Sequence, residues 1–130
     1  LPQGAVIDVS FISLKLVLPV VKEVLLPDSH IIALIKPQFE AGREKVGKKG
    51  VVRSAETHKE VLQDILLACH KFGFVIKNLS FSPVKGPKGN IEFLVHLYYS
   101  GQEYSFYDNN IDIEKLVNKV VDSAHSELKG

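Results

Sequence analysis

Three residues of this sequence could move a proton among themselves: the carboxylate of Asp8, the amine of Lys36 and the carboxylate of Glu92. Asp8 ends the apolar run Ala5 to Val9, Lys36 follows the β-branched run Ile31 to Ile35, and Glu92 stands near the start of Ile91 to Tyr99. In open α/β sheets, ligands bind beyond the carboxyl ends of the parallel strands, which is where Asp8 and Lys36 would fall. Glu92 joins them if its strand runs antiparallel, because that strand then begins at the edge where the others finish. Such a trio is either an ordinary ion pair at a loop margin or an acid–base site. Pro37 restricts Lys36 to extended backbone, which gives its side chain a defined direction.

The elements that must position this trio alternate strand and helix, the pattern of an α/β protein with a mostly parallel sheet. Four strands are expected: Ala5 to Val9, Ile31 to Ile35, Phe74 to Phe81 and Ile91 to Tyr99. The second reads as a strand covered on both faces. A crossover helix is expected over Ser13 to Leu26, with Pro19 in or near its early turns. Pro37 to Ala55 reads as a long polar connection, of the length that usually serves a function. In the next helix Thr57 and Glu60 fit a capping box, Val61, Ile65, Cys69 and Phe72 share one face, and Gly73 is a natural stop. The turn-rich stretch from Ser82 to Asn90 is too short to hold a crossover helix, so the fourth strand is expected to be antiparallel. Ile113, Leu116, Val117, Val120, Val121, Ala124 and Leu128 then repeat at helical spacing.

Over 130 residues, 45% apolar and 24% charged content is ordinary for one globular domain. The formal charge of +1 gives no global pull toward nucleic acid, so any such argument rests on local placement. Arg43, Lys45, Lys48, Lys49 and Arg53 cluster in the long connection, and Lys85 and Lys88 in the later turn at the same sheet edge. Both groups are either solvated charged loops or phosphate contacts, and they lack aromatics for base stacking. Gly42 to Lys49 nearly fits a P-loop but fails on mechanism: Lys49 stands where a magnesium-ligating hydroxyl is needed, and no helix is expected to open there. The five histidines show no metal-ligand spacing, so no metal is expected. A lone cysteine, Cys69, and no apolar run of about 20 residues point to a reduced, cytoplasmic setting without a membrane span. The aromatic residues Tyr98, Tyr99, Tyr104, Phe106 and Tyr107 are expected to pack the last strand and helix.

Asp8-Val9-Ser10-Phe11-Ile12-Ser13-Leu14, Lys36-Pro37-Gln38-Phe39-Glu40-Ala41-Gly42-Arg43, and Ser82-Pro83 followed by Gly86-Pro87-Lys88-Gly89-Asn90-Ile91-Glu92-Phe93 resemble the TlyA haemolysin-type rRNA methyltransferases. These belong to the broader FtsJ-like group. The resemblance runs in order, at family-like spacing, to about Tyr99. It implies a fold that is the C-terminal half of a Rossmann-like S-adenosylmethionine-dependent methyltransferase, and a Lys-Asp-Lys-Glu tetrad. Asp8, Lys36 and Glu92 match its second, third and fourth members, and the first lysine has no counterpart in this sequence. The implied reaction moves a methyl group from S-adenosylmethionine to a ribose 2′-hydroxyl, of cytidine in ribosomal RNA, with Lys36 accepting the hydroxyl proton. A lysine free in water holds its proton at neutral pH, so the site must perturb it. Asp8, Val9 and Ser10 inherit contact with the reacting end of the cofactor, and the basic residues above inherit contact with RNA.

With no methionine and a strand almost at residue 1, the chain reads as the C-terminal portion of one such domain, lacking the cofactor-binding first half and inactive alone. Its first strand is then an exposed edge, through which self-association is expected. A competing class is a non-catalytic RNA-binding or assembly module, which would keep the basic loops but have no use for the trio. A third is the pore-forming haemolysin of the family's traditional name, against which stands the absence of a spanning segment or a strongly basic amphipathic helix.

Overall fold

The computed structural model describes residues 4–7, 14–40, 54–86, 89–101 and 112–128. The elements are β1 (Gly4–Ile7), α1 (Leu14–Lys22), β2 (Ser29–Ile35), α2 (Pro37–Glu40), α3 (Ala55–Lys71), β3 (Phe74–Phe81), β4 (Phe93–Tyr99) and α4 (Ile113–Glu127). The strands form one four-stranded sheet in the order β1-β2-β4-β3. β1 and β2 are parallel, and β4 runs antiparallel to both its neighbours, so β1, β2 and β3 point the same way. The expected antiparallel strand is therefore present, and it is wedged between β2 and β3.

One face of the sheet carries the core. Alternation along the strands sends Ile31, Ala33 and Ile35 of β2 and Phe93, Val95 and Leu97 of β4 to that face, where all six are buried. They pack with Leu18 of α1, Leu62, Ile65, Leu66 and Cys69 of α3, and Val117, Val121 and Ala124 of α4. The opposite face differs from expectation. β2 alternates buried and exposed positions, and His30 and Ile32 are open, so among the described residues it is covered on one side only.

Helix boundaries follow local hydrogen bonding. α1 stops at Lys22, short of the expected Leu26, and the chain leaves through tightened bonds from Glu23 N–H to Val20 and Val24 N–H to Val21. Lys22 then donates to the carbonyl of Phe72, at 2.7 Å, serving an acceptor exposed where α3 ends. α3 begins earlier than the Thr57 capping box requires: Ser54 is the N-cap, and its hydroxyl accepts the N–H of Thr57. Four residues of the long connection, Pro37 to Glu40, form the short helix α2, with proline at the first helical position, where its missing N–H costs nothing. Asp112 caps α4 in the same manner as Ser54, accepting from Lys115 N–H at 3.1 Å.

Candidate active site

The strand register brings Lys36 and Glu92 to one place. β2 and β4 pair through Ile35 opposite Phe93, so the residue that follows Ile35 and the residue that precedes Phe93 leave the sheet side by side. Both stand at the carboxyl ends of β1, β2 and β3, the edge picked out above. Lys36 is half-buried there and Glu92 is 6% exposed. The main-chain carbonyl of Glu92 accepts from Ser82 N–H at 2.8 Å, which extends the β3–β4 ladder one step past the strand and holds the residue's backbone.

The Glu92 side chain is enclosed by two walls. On one, Gln38 of α2 donates from Nε2 to Glu92 Oε2 at 3.0 Å. On the other lies the backbone of Gly86, close enough that a Cβ at that position would sit 2.2 Å from Oε2. Glycine is required here for that approach. The turn carrying it is closed by bonds from Gly86 N–H to Asn90 O, 2.7 Å, and from Gly89 N–H to Gly86 O, 3.1 Å. Gly89 has φ +84°, in the left-handed region. A carboxylate so enclosed and given a hydrogen-bond donor is held in one orientation at the strand end that follows Lys36, where it can align a neighbouring amine or hydroxyl by accepting its hydrogen bond.

Of the catalytic, cofactor-binding and RNA-binding residues expected from the sequence, Lys36, Lys85 and Glu92 are described. Lys85 is half-buried next to Gly86, on the turn that faces Glu92. Asp8, Val9 and Ser10 lie outside the described residues, as do Arg43, Lys45, Lys48, Lys49, Arg53 and Lys88, and Tyr104, Phe106 and Tyr107. Sequence reasoning passed over Gln38 and Gly86 as site residues. Their signal was present in the sequence, where a glutamine follows Lys36-Pro37 and a glycine stands six residues before Glu92.

Two histidine pairs also escaped the spacing argument, because their members come together across elements. His58, fully buried on α3, shares a 2.7 Å hydrogen bond with His125 of α4 and lies edge-on to Phe93. His30 and His96 meet at 2.9 Å on the sheet face away from the core, beside Tyr98, which hydrogen-bonds Asp28. Tyr98 therefore does not pack against the C-terminal helix as expected, since alternation turns it to the opposite face. Tyr99 does reach the core side, against Phe74. Among the described residues no helix is long and apolar enough to cross a membrane.

A mixed sheet with one antiparallel strand inserted carries an amine and a carboxylate at the carboxyl edge, the edge at which open α/β sheets bind their ligands. The model of the FtsJ-like methyltransferases matches residues 2–99. YqxC of Bacillus subtilis, named as an rRNA methyltransferase, is 48% identical over 129 residues, covering 99% of this chain and 45% of its own. The 16S/23S rRNA (cytidine-2′-O)-methyltransferase TlyA of Mycobacterium tuberculosis is 36% identical over 92 residues, 71% of this chain and 34% of its own. A solved Streptococcus thermophilus protein, titled a hemolysin, superposes with a TM-score of 0.88 at 43% identity, over 99% of this chain and 44% of that one. The chain thus belongs to the FtsJ-like methyltransferase family, and it spans less than half the length of these relatives.

Proposed function

We propose that residues 1–130 are the C-terminal part of one FtsJ-like methyltransferase domain, and that the full-length polypeptide methylates a ribose 2′-hydroxyl of cytidine in ribosomal RNA, in the cytoplasm. The observation that carries this reading is the β2–β4 register, which sets Lys36 beside Glu92 at the carboxyl edge of the sheet. S-adenosylmethionine supplies the methyl group. Asp8, Val9 and Ser10, assigned to its reacting end, lie outside the described residues. Lys36 takes the proton of the attacking hydroxyl, Glu92 holds Lys36 in line, and Asp8 supplies the second carboxylate of the set. Lys85 and Lys88, with Arg43, Lys45, Lys48, Lys49 and Arg53, meet the RNA backbone.

Three features favour a complementary half. β1 is an edge of the described sheet, Leu16, Val20 and Val24 form an exposed apolar stripe along α1 and the turn that follows, and Ile32 is exposed on the sheet face away from the described helices. Without that half the chain alone turns nothing over, binds S-adenosylmethionine weakly, and self-associates through β1. The test is transfer of labelled methyl to ribosomal RNA by the full-length polypeptide, with Lys36→Arg alongside. We expect turnover by the parent, none by a folded Lys36→Arg variant, and none by the 130-residue chain. Full turnover in the arginine variant sinks the proton-acceptor role, and micromolar cofactor binding by the short chain sinks the half-domain reading.

A further inference from the structure

We propose that Gln38 is the positioning residue of Glu92, fixing its carboxylate for the reaction through a single oriented hydrogen bond. The inference rests on the methyl-transfer reading above and adds a residue that the tetrad does not contain. Gln38 lies in the first turn of α2, two residues after Lys36. Its Nε2 donates to Glu92 Oε2, while its own Oε1 is buried and has no hydrogen-bond partner among the described residues.

That asymmetry is informative. A side-chain amide has a donor end and an acceptor end, and an ionised carboxylate only accepts, so only the NH₂ end can face Glu92. Turning the amide over would set two acceptors against each other. A buried acceptor without a partner costs stability, and few are tolerated in a folded protein. Here the orphaned oxygen is the consequence of holding the amide nitrogen on Glu92. The same carboxylate is also approached closely by the Gly86 backbone, so Gln38 and Gly86 together leave the group little room to swing. Because α2 starts at the residue after Lys36, the bond also ties the segment bearing the amine to the residue that leads into β4. Gln38 thereby sets the distance between the two groups that handle the proton.

The experiment is a double-mutant cycle in the full-length polypeptide, with Gln38→Met to remove the donor at similar length and Glu92→Gln to remove the charge. The readouts are kcat and KM for methyl transfer to ribosomal RNA, with thermal unfolding of every variant. Loss of a hydrogen bond to a charged group predicts a fall in kcat of about 10–100-fold for Gln38→Met, with KM for S-adenosylmethionine within about twofold. In the Glu92→Gln background the same substitution should cost nothing further. Gln38→Ala covers the case in which an apolar group against the carboxylate prevents folding. Losses that multiply in the double variant overturn the positioning role while leaving the site intact. Full turnover by Glu92→Gln alone overturns the site reading and this inference with it, and that single variant distinguishes the two failures.

Discussion

Placing a methyl group at position 86 is the sharpest perturbation that the structure offers. A Cβ there would lie 2.2 Å from Glu92 Oε2, 2.4 Å from Cδ and 2.9 Å from Oε1. Separations under 3.0 Å are essentially never seen for real Cβ atoms, so the carboxylate must retreat by at least about 0.8 Å. It sits at the free end of a side chain and can retreat by rotation, so the fold survives. The hydrogen bond from Gln38 does not survive intact, and its loss costs about 1–2 kcal/mol, offset in part by the lower entropy of an unfolded chain with alanine in place of glycine. Thermal unfolding should therefore shift down by only a few degrees. Under the role proposed for Glu92, turnover should suffer far more, since a catalytic group displaced by about 1 Å loses on the order of 100-fold. Labelled-methyl transfer and a melting curve on Gly86→Ala in the full-length polypeptide decide the matter. Wild-type kcat in a folded Gly86→Ala variant would refute the claim that Glu92 must stand where it does.

Other expectations follow from the same geometry. Burial pushes the Cys69 thiol up to about 12, with the residue's own backbone hydrogen bond opposing and Glu40 adding slightly, so the native protein should not react with a disulfide reagent at pH 8 and should react fully when unfolded. Burial likewise holds His125 below its ordinary value of 6.5, against the pull of Asp122 and with the help of Lys59. The unfolded chain then binds more protons than the folded one just below pH 6.5, so stability present above that pH is lost as the pH falls through it. The urea midpoint should drop between pH 7.5 and 5.5, and drop less in His125→Gln; equal slopes would rule out this histidine as the cause. Reversing charge with Lys85→Glu should raise the KM for ribosomal RNA and flatten its salt dependence by about one counterion, with the KM for S-adenosylmethionine unchanged.

The sheet was legible in the sequence because its strands are short apolar runs bounded by glycine, proline and polar turns. Phe74 to Phe81 has the expected limits, and the brevity of the Ser82 to Asn90 turn foretold the reversed direction of β4. What the runs could not reveal is pairing order. Ile31 to Ile35 looks like a strand enclosed on both sides, and composition cannot say which of its faces the helices cover. Boundaries drifted where one hydrogen bond decides them, as at Ser54, whose hydroxyl starts α3 three residues before Thr57. In the site, charged groups at strand ends stood out, and Lys36 and Glu92 do come together. Gln38 and Gly86 did not stand out, since one works through an uncharged amide and the other through the absence of a side chain.

The insertion of β4 between β2 and β3 has a further consequence for how the molecule is made. Ser29 to Ile35 pairs along its whole length with Phe93 to Tyr99, and Phe74 to Phe81 finds its main-chain partner in that same late segment. On a ribosome, β2 and α3 emerge well before the strand that joins them, so the middle of the sheet is the last part to close. Contacts this distant in sequence are slow to form, and β2 and β3 wait with unsatisfied edges until Tyr99 has been synthesised. The step that completes the backbone ladder also delivers Glu92 to Gln38, so assembly of the site coincides with closure of the sheet and cannot precede it.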